Sequence, residues 1–212
     1  MPTPPLKLAV LVSGSGTTLQ NLLDHIAANQ LNAQIERVIA SRPGLVGADR
    51  AMKAGLPTHT VDRKQYSTCA DFSTRVFEIV DQSEVDLVVL AGWLCLLELP
   101  VRYHARAMNI HPALLPGFGG RGMYGRKVHE AVLAHGCKLS GCTVHFVDDA
   151  YDTGPIILQR ACPVLDDDTP ESLAHRLFEE EKIAYPQAIK LFHEGRLKIE
   201  GRRVRILPPS QS

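Results

Sequence analysis

A chain of 212 residues is long enough to bury one substantial core, and its 45% hydrophobic and 22% charged residues are ordinary for a globular enzyme. Lys plus Arg balance Asp plus Glu at 23 each, which excludes the polycationic footprint of a nucleic-acid or anionic-membrane binder. The longest nearly uncharged apolar stretch, residues 87–97, is too short to span a bilayer. Met1-Pro-Thr-Pro-Pro lacks the basic and apolar regions of a secretory signal and reads as a short frayed end. The five cysteines, Cys69, Cys95, Cys137, Cys142 and Cys162, are expected to be reduced and mostly buried in a cytoplasmic protein. Cys137 and Cys142 bracket a turn without a matching Cys or His pair, so no metal is expected.

Along the chain, residues 6–12 are a near-continuous apolar run, as in a central parallel strand. Leu19, Leu22, Leu23, Ile26 and Ala27 then follow one helix face. A second strand is expected at 38–40, a helix at 47–54 and a short strand at 58–61. Residues 71–82 carry Phe72, Val76, Phe77 and Val80 on one helical face, and residues 87–91 form a fourth strand. A fifth, at 107–110, delivers Asn109 and His111 to its carboxyl end. The second half reads as a helix at 127–135, then β segments at 140–147 and 156–161 around a 148–154 loop. A long helix starts at Thr169, with Pro170 well placed in its first turn. Pro186 should kink or interrupt it, Gly195 stops it, and 202–206 is a terminal strand. The alternation predicts a single α/β domain over 1–212, a mostly parallel twisted sheet flanked by helices.

Ligands of such sheets sit beyond the carboxyl ends of the strands. The loops at 13–18 and 92–97 and the run Asn109-Ile110-His111-Pro112 are therefore expected to converge on one crevice. Ser13-Gly14-Ser15-Gly16-Thr17-Thr18 joins a strand to a helix, where glycines and free amides suit a phosphate; a tight turn capped by Thr is the plainer alternative. It matches neither the nucleotide-triphosphate loop nor the dinucleotide fingerprint. Asn109 and His111 share one side of an extended chain, with Pro112 and Pro116 stiffening the backbone after the strand. An Asn that donates to an oxyanion, a His that holds a proton and the carboxylate of Asp152 suffice for direct acyl transfer within a ternary complex. Asp148 and Asp149 read as solvated or capping acids, and 166–168 as an acidic lead-in to the last helix. The Gly-rich 117–126 segment reads as a lid over the site, against a loose surface loop. His129 is placed either toward substrate or toward solvent. Trp93-Leu94-Cys95-Leu96-Leu97 suits the edge of a flat heteroaromatic ligand, with core packing as the alternative.

The Gly-Ser-Gly-Thr-Thr-Leu loop, Val-Leu-Ala-Gly-Trp, Asn-Ile-His-Pro-Ala-Leu-Leu-Pro, His145-Phe-Val, Asp152-Thr-Gly-Pro and Tyr185-Pro186 carry a resemblance over nearly the whole chain. It resembles the phosphoribosylglycinamide formyltransferases, the folate-dependent transformylases of purine synthesis, with their Rossmann-like fold. The resemblance implies 10-formyltetrahydrofolate as donor, the amine of glycinamide ribonucleotide as acceptor, and no metal. It implies Asn109, His111 and Asp152 as catalytic groups, with protonated His111 and Asn109 on the oxyanion and Asp152 coupled to His111 through water or directly. It further implies Gly16, Thr17 and Thr18 on the phosphate, and Glu181 on the ribose. Leu94, Cys95, Leu96 and Leu97, with Val147 and Asp148, would enclose the pterin. By the same resemblance the ribonucleotide falls to the N-terminal half and folate to the C-terminal half, in a cytoplasmic monomer or homodimer without nucleic-acid or membrane partners. Relatives often carry Asn at Thr18, Arg near Cys69 and at Cys95, and Gly at Thr153, changes that bear on affinity more than on reaction type. Formyltetrahydrofolate deformylase, which passes the formyl group to water, is the nearest rival; its relatives have an extra N-terminal domain not expected here. Methionyl-tRNA formyltransferase would need a C-terminal RNA-binding domain, also not expected. A folate- or phosphate-binding module without catalysis is the remaining alternative.

Overall fold

Leu6–Val12 forms β1, buried along nearly its whole length, as its uninterrupted apolar side chains require. The computed structural model describes residues 4–209; of the frayed start expected over the first five residues, the first three lie outside them, and Pro4 and Pro5 are exposed. β1 pairs in parallel with β2 (Ala33–Ala40) on one side and β4 (Leu87–Leu90) on the other. β3 (Thr58–Thr60) continues beyond β2, and β5 (Ala107–His111) beyond β4, both parallel. The order β3-β2-β1-β4-β5 reverses between β1 and β4, the kind of switch point beyond which α/β sheets hold ligands. Helices α1 (Thr17–Ala27), α2 (Val46–Lys53) and α3 (Cys69–Val80) connect these strands. The α3 face expected from spacing is the buried one: Phe72, Val76, Phe77 and Val80 are at most 1% exposed.

β2 is longer than the expected 38–40. Its first half alternates, with Ala33, Ile35 and Arg37 buried and Gln34 and Glu36 more exposed between them. Arg37 hides that period because a guanidinium reads as a surface group; its donors reach Ser83 Oγ at 2.9 Å and Gln82 Oε1 at 3.3 Å.

The described chain groups into two compact units, one ending at Asn109 and the other beginning at Ile110. In the second, α4 (Arg126–Ala134) precedes the antiparallel pair β6 (Leu139–Phe146) and β7 (Ile156–Pro163). Helix α5 (Pro170–His193) opens on a capping box: Thr169 Oγ1 accepts from Ser172 N at 3.2 Å and Ser172 Oγ from Thr169 N at 2.9 Å. Of the kink or interruption expected at Pro186, the interruption does not occur. A proline inside a helix costs about 3 kcal/mol. Burying Ile189 and Leu191 beyond it returns roughly 3–6 kcal/mol, so packing prevails. The helix stops at Glu194 and Gly195, whose φ of +64° suits glycine. The single terminal strand expected at 202–206 is a hairpin, β8 (Leu197–Glu200) and β9 (Arg203–Ile206), with β9 parallel to β7.

All five cysteines are free, but only Cys142 and Cys162 are buried; Cys69, Cys95 and Cys137 are half-exposed, so the thiols are not mostly buried. Cys142 lies inside β6 rather than across a turn from Cys137, and burial pushes its thiol up to about 12. The sheet is mostly parallel and the class is α/β, as the alternation of patterns predicts.

Candidate functional site

In the first unit, the loops after β1 and β4 are tied together. Ser13 N donates to Gly92 O at 3.2 Å, and Leu94 N to Ser13 Oγ at 3.0 Å. Gly16 is the residue before α1, with φ +74°, so the turn is not capped by a Thr side chain. A Cβ on Gly16 would stand 2.6 Å from the Gly47 Cα, which makes this glycine a packing requirement of α2 as well as a candidate phosphate contact. Thr17 is exposed and Thr18 half-exposed, and α1 has no side-chain cap, leaving its first amides suited to an anion. Arg50, which the sequence did not single out, steadies the loop from α2 by donating to Ser15 O at 2.9 Å. Of the apolar loop, Leu94 is exposed, Cys95 and Leu96 are half-exposed and Leu97 is buried. Trp93 belongs to the core instead: it is 6% exposed and stacks on Phe72 with ring centroids 5.8 Å apart.

Asn109 ends the first unit on β5, half-exposed and paired in register with Leu90. The two-residue period of the strand places it on the same face as His111. His111 is 4% exposed in its side chain, and its Nδ1 lies 3.4 Å from Asp152 Oδ2, too close for an intervening water. Coupling to Asp152 is therefore direct rather than through water. Asp152 sits at φ +58° in the loop after β6. Gly154 forces this turn tight: a Cβ there would stand 1.8 Å from Phe146 O. That close approach is the physical content of the Asp-Thr-Gly-Pro motif.

The other ring nitrogen, His111 Nε2, donates to Phe118 O at 2.8 Å. A carbonyl only accepts, so Nε2 carries the proton and Nδ1 is left to exchange one. Gly120 N donates to Asp152 Oδ2 at 2.9 Å, and a Cβ on Gly119 would collide with Leu115 at 2.5 Å. The start of the Gly-rich segment thus lies on the His–Asp pair and is not loose, while Arg121 and residues 124–126 are exposed. His145, part of the His-Phe-Val motif but given no role from sequence, stands with Nε2 3.7 Å from Asp152 Oδ1; its Nδ1 donates to Phe146 O at 2.8 Å. The signal that marks it is position, two residues past Thr143 on the same face of β6.

Burial draws the His111 pKa below its ordinary 6.5, outweighing the Asp152 carboxylate and the Phe118 carbonyl, which act upward. Burial alone would raise the Asp152 carboxyl, but the hydrogen bond with His145, the His111 charge and the Gly120 amide hold it below the usual range. The resting pair is neutral His111 beside ionised Asp152. Both ring nitrogens nevertheless face acceptors, a geometry that favours imidazolium once a proton arrives.

His129 on α4 is buried, not solvent-facing; its Nδ1 lacks a hydrogen-bond partner among the described residues, and burial followed by the His111 charge lowers its pKa. Val147 and Asp148 share the Asp152 loop and are half-exposed. Asp148 Oδ1 accepts from the Thr153 hydroxyl at 2.7 Å, so Thr153 organises this loop, and Asp148 is a structural acceptor as well as a candidate folate contact. Glu181 on α5 is half-exposed over the whole residue, yet burial of its carboxyl pushes the pKa up to about 8. Among the described residues that carboxyl has no hydrogen-bond or ion-pair partner, a condition typical of a ligand contact.

A family model described as formyl transferase matches residues 6–189. The chloroplastic phosphoribosylglycinamide formyltransferase of Arabidopsis thaliana is 38% identical over 195 residues, covering 91% of this chain and 67% of that protein. The trifunctional purine biosynthetic protein adenosine-3 of Gallus gallus is 37% identical over 199 residues, covering 93% of this chain; the chain spans only 19% of that relative's length. The crystal structure of glycinamide ribonucleotide transformylase 1 from Symbiobacterium toebii superposes with a TM-score of 0.88 at 44% identity, covering 96% of this chain and 95% of that one.

Proposed function

Because the chain belongs to the formyl transferase family, we propose that it transfers a formyl group from 10-formyltetrahydrofolate to the amine of glycinamide ribonucleotide, giving formylglycinamide ribonucleotide in purine synthesis. The observation that carries the chemistry is the buried His111–Asp152 pair, with Nε2 committed to Phe118 O and Nδ1 beside the carboxylate. The acceptor amine attacks the formyl carbon, a C–N bond forms, and the carbonyl electron pair moves to oxygen. His111 Nδ1 takes the amine proton as general base, and the imidazolium so formed is stabilised by Asp152. Asn109 and the newly charged ring stabilise the oxyanion. Collapse breaks the bond to the folate nitrogen, which receives the proton from His111. His145 and Gly120 hold the Asp152 carboxylate against rotation.

The acceptor phosphate binds at Gly16, Thr17 and Thr18, and its ribose at Glu181, whose unpartnered carboxyl suits hydroxyl donors and acceptors. Leu94, Cys95, Leu96 and Leu97, with Val147 and Asp148, contact the pterin. The whole chain acts as one formyltransferase domain, with the N-terminal half serving the ribonucleotide and the C-terminal half the folate, as a cytoplasmic monomer or homodimer without metal or nucleic acid. Five free thiols suit a reducing compartment. Among the described residues no helix is long and apolar enough to cross a membrane.

Purified protein given both substrates should form formylglycinamide ribonucleotide. Formate release at the same rate without acceptor would instead establish a deformylase, and ligand binding without turnover a binding module.

A further inference from the structure

We propose that Thr143 and Gln159 are positioning residues that set the His111 imidazole for proton transfer. The inference rests on the proton role given to His111 above. Thr143 on β6 and Gln159 on β7 are directly paired across the two strands. The Thr143 hydroxyl is fully enclosed and uses every bond it has. It donates to Ala113 O at 2.7 Å, and accepts from Leu115 N at 3.0 Å and from Gln159 Nε2 at 2.9 Å. The second hydrogen of that Gln159 amide goes to Leu115 O at 3.0 Å.

The backbone held this way is the stretch between His111 and Phe118. Ala113 follows His111 by two residues, and Leu115 precedes Phe118 by three. That stretch closes on itself where His111 Nε2 donates to Phe118 O, so the clamp grips the middle of a loop whose two ends meet at the catalytic ring. Neither clamp residue is seen touching His111. They act by fixing where the Phe118 carbonyl stands, and hence which ring nitrogen carries the resting proton. Gln159 is largely exposed apart from its bonded amide, so its exposure alone would mark it as an ordinary surface residue of β7.

Thr143→Val keeps the shape of the side chain and removes the hydroxyl; Thr143→Ser restores the hydroxyl; Gln159→Glu keeps the length and removes both donors. With folding checked by melting, Thr143→Val and Gln159→Glu should lower kcat about ten- to a hundredfold, leaving both KM values within about threefold. Thr143→Ser should recover most of the rate. In nitrogen NMR of the ligand-free proteins, His111 should show the Nε2-protonated ring in wild type and a mixed or shifted signal in the two damaging variants. Because Gln159 is exposed, Gln159→Glu decides the matter even if Thr143→Val does not fold. An unchanged His111 signal together with wild-type kcat in folded variants overturns the proposal, as does a Thr143→Ser variant no better than Thr143→Val. If the wild-type protein transfers no formyl group, the functional reading fails, while the ring-nitrogen signals still decide whether the clamp sets His111.

Discussion

His111 is held between two opposing demands, burial that disfavours its charge and a pair of acceptors that welcome it. A base in that condition is neutral at rest and gains a stabilised proton in the reaction, which is what amine attack requires. With His111 as the proposed general base, kcat/KM should hold through neutral pH and fall as pH drops through a value below 6.5. Asp152→Asn removes the charge that raises this pKa. It should therefore move the acid limb to lower pH while reducing kcat about 10²- to 10⁴-fold; a limb that stays in place would refute the direct coupling. Glu181 makes a different prediction. Its carboxyl, raised to about 8, has no partner among the described residues, and Glu181→Ala should raise the acceptor KM about tenfold with little change in kcat if the proposed ribose contact is the one lost. Steady-state kinetics with the acceptor varied distinguishes the two outcomes.

At the scale of elements, glycines do the shaping where backbones nearly touch. Gly16 closes the turn between β1 and α1 against Gly47, at a φ that other residues adopt only with strain. Gly16→Ala should cost about 1–3 kcal/mol in denaturant unfolding and weaken acceptor binding more than folate binding. Wild-type stability in that variant would mean the loop has room that its geometry denies. The start of α5 is held otherwise. Asp168 accepts from Arg176 at 2.6 and 2.8 Å and from Ser172 at 2.6 Å, and its carboxyl is held well below the usual range, chiefly by Arg176. The carboxylate is 1% exposed, though enclosed by these partners rather than by deep core. Asp168→Asn should therefore lower stability by only about 1–2 kcal/mol, measured by the denaturant midpoint. An acid read from sequence only as part of an acidic lead-in is a structural acceptor, because Arg176 lies on the second turn of the helix that follows it.

Over the whole molecule, the carboxylates held below their usual range, Asp152 and Asp168 among them, lose their contribution only in stronger acid, so just below neutral pH the buried histidines should dominate acid sensitivity. His111 and His129 both have folded-state pKa values below the ordinary 6.5. Their contribution is fully present above 6.5 and is lost as pH falls from there through the lowered values, because the unfolded chain binds those protons first. Tm should drop on that side, and His129→Leu should flatten part of the drop; an identical acid slope in the variant would remove His129 from the account. Much of this protein was legible in one dimension. The apolar run of β1, the helical face of α3, the start of α5 at Thr169 and Pro170 and the Asn-Ile-His-Pro block are local patterns, since periodicity, first-turn preference and strand alternation depend on neighbours along the chain. Buried Arg37 inside β2, the unbroken α5 through Pro186 and the enclosure of His129 were not legible, because distant packing outweighs local preference at each of them. The same division runs through the site. Sequence by itself determined which groups were available for the chemistry, His111 and Asp152 among them. Only tertiary structure decided which ring nitrogen of His111 is free to take a proton, because a carbonyl seven residues on and a carboxylate from another loop make that choice through space.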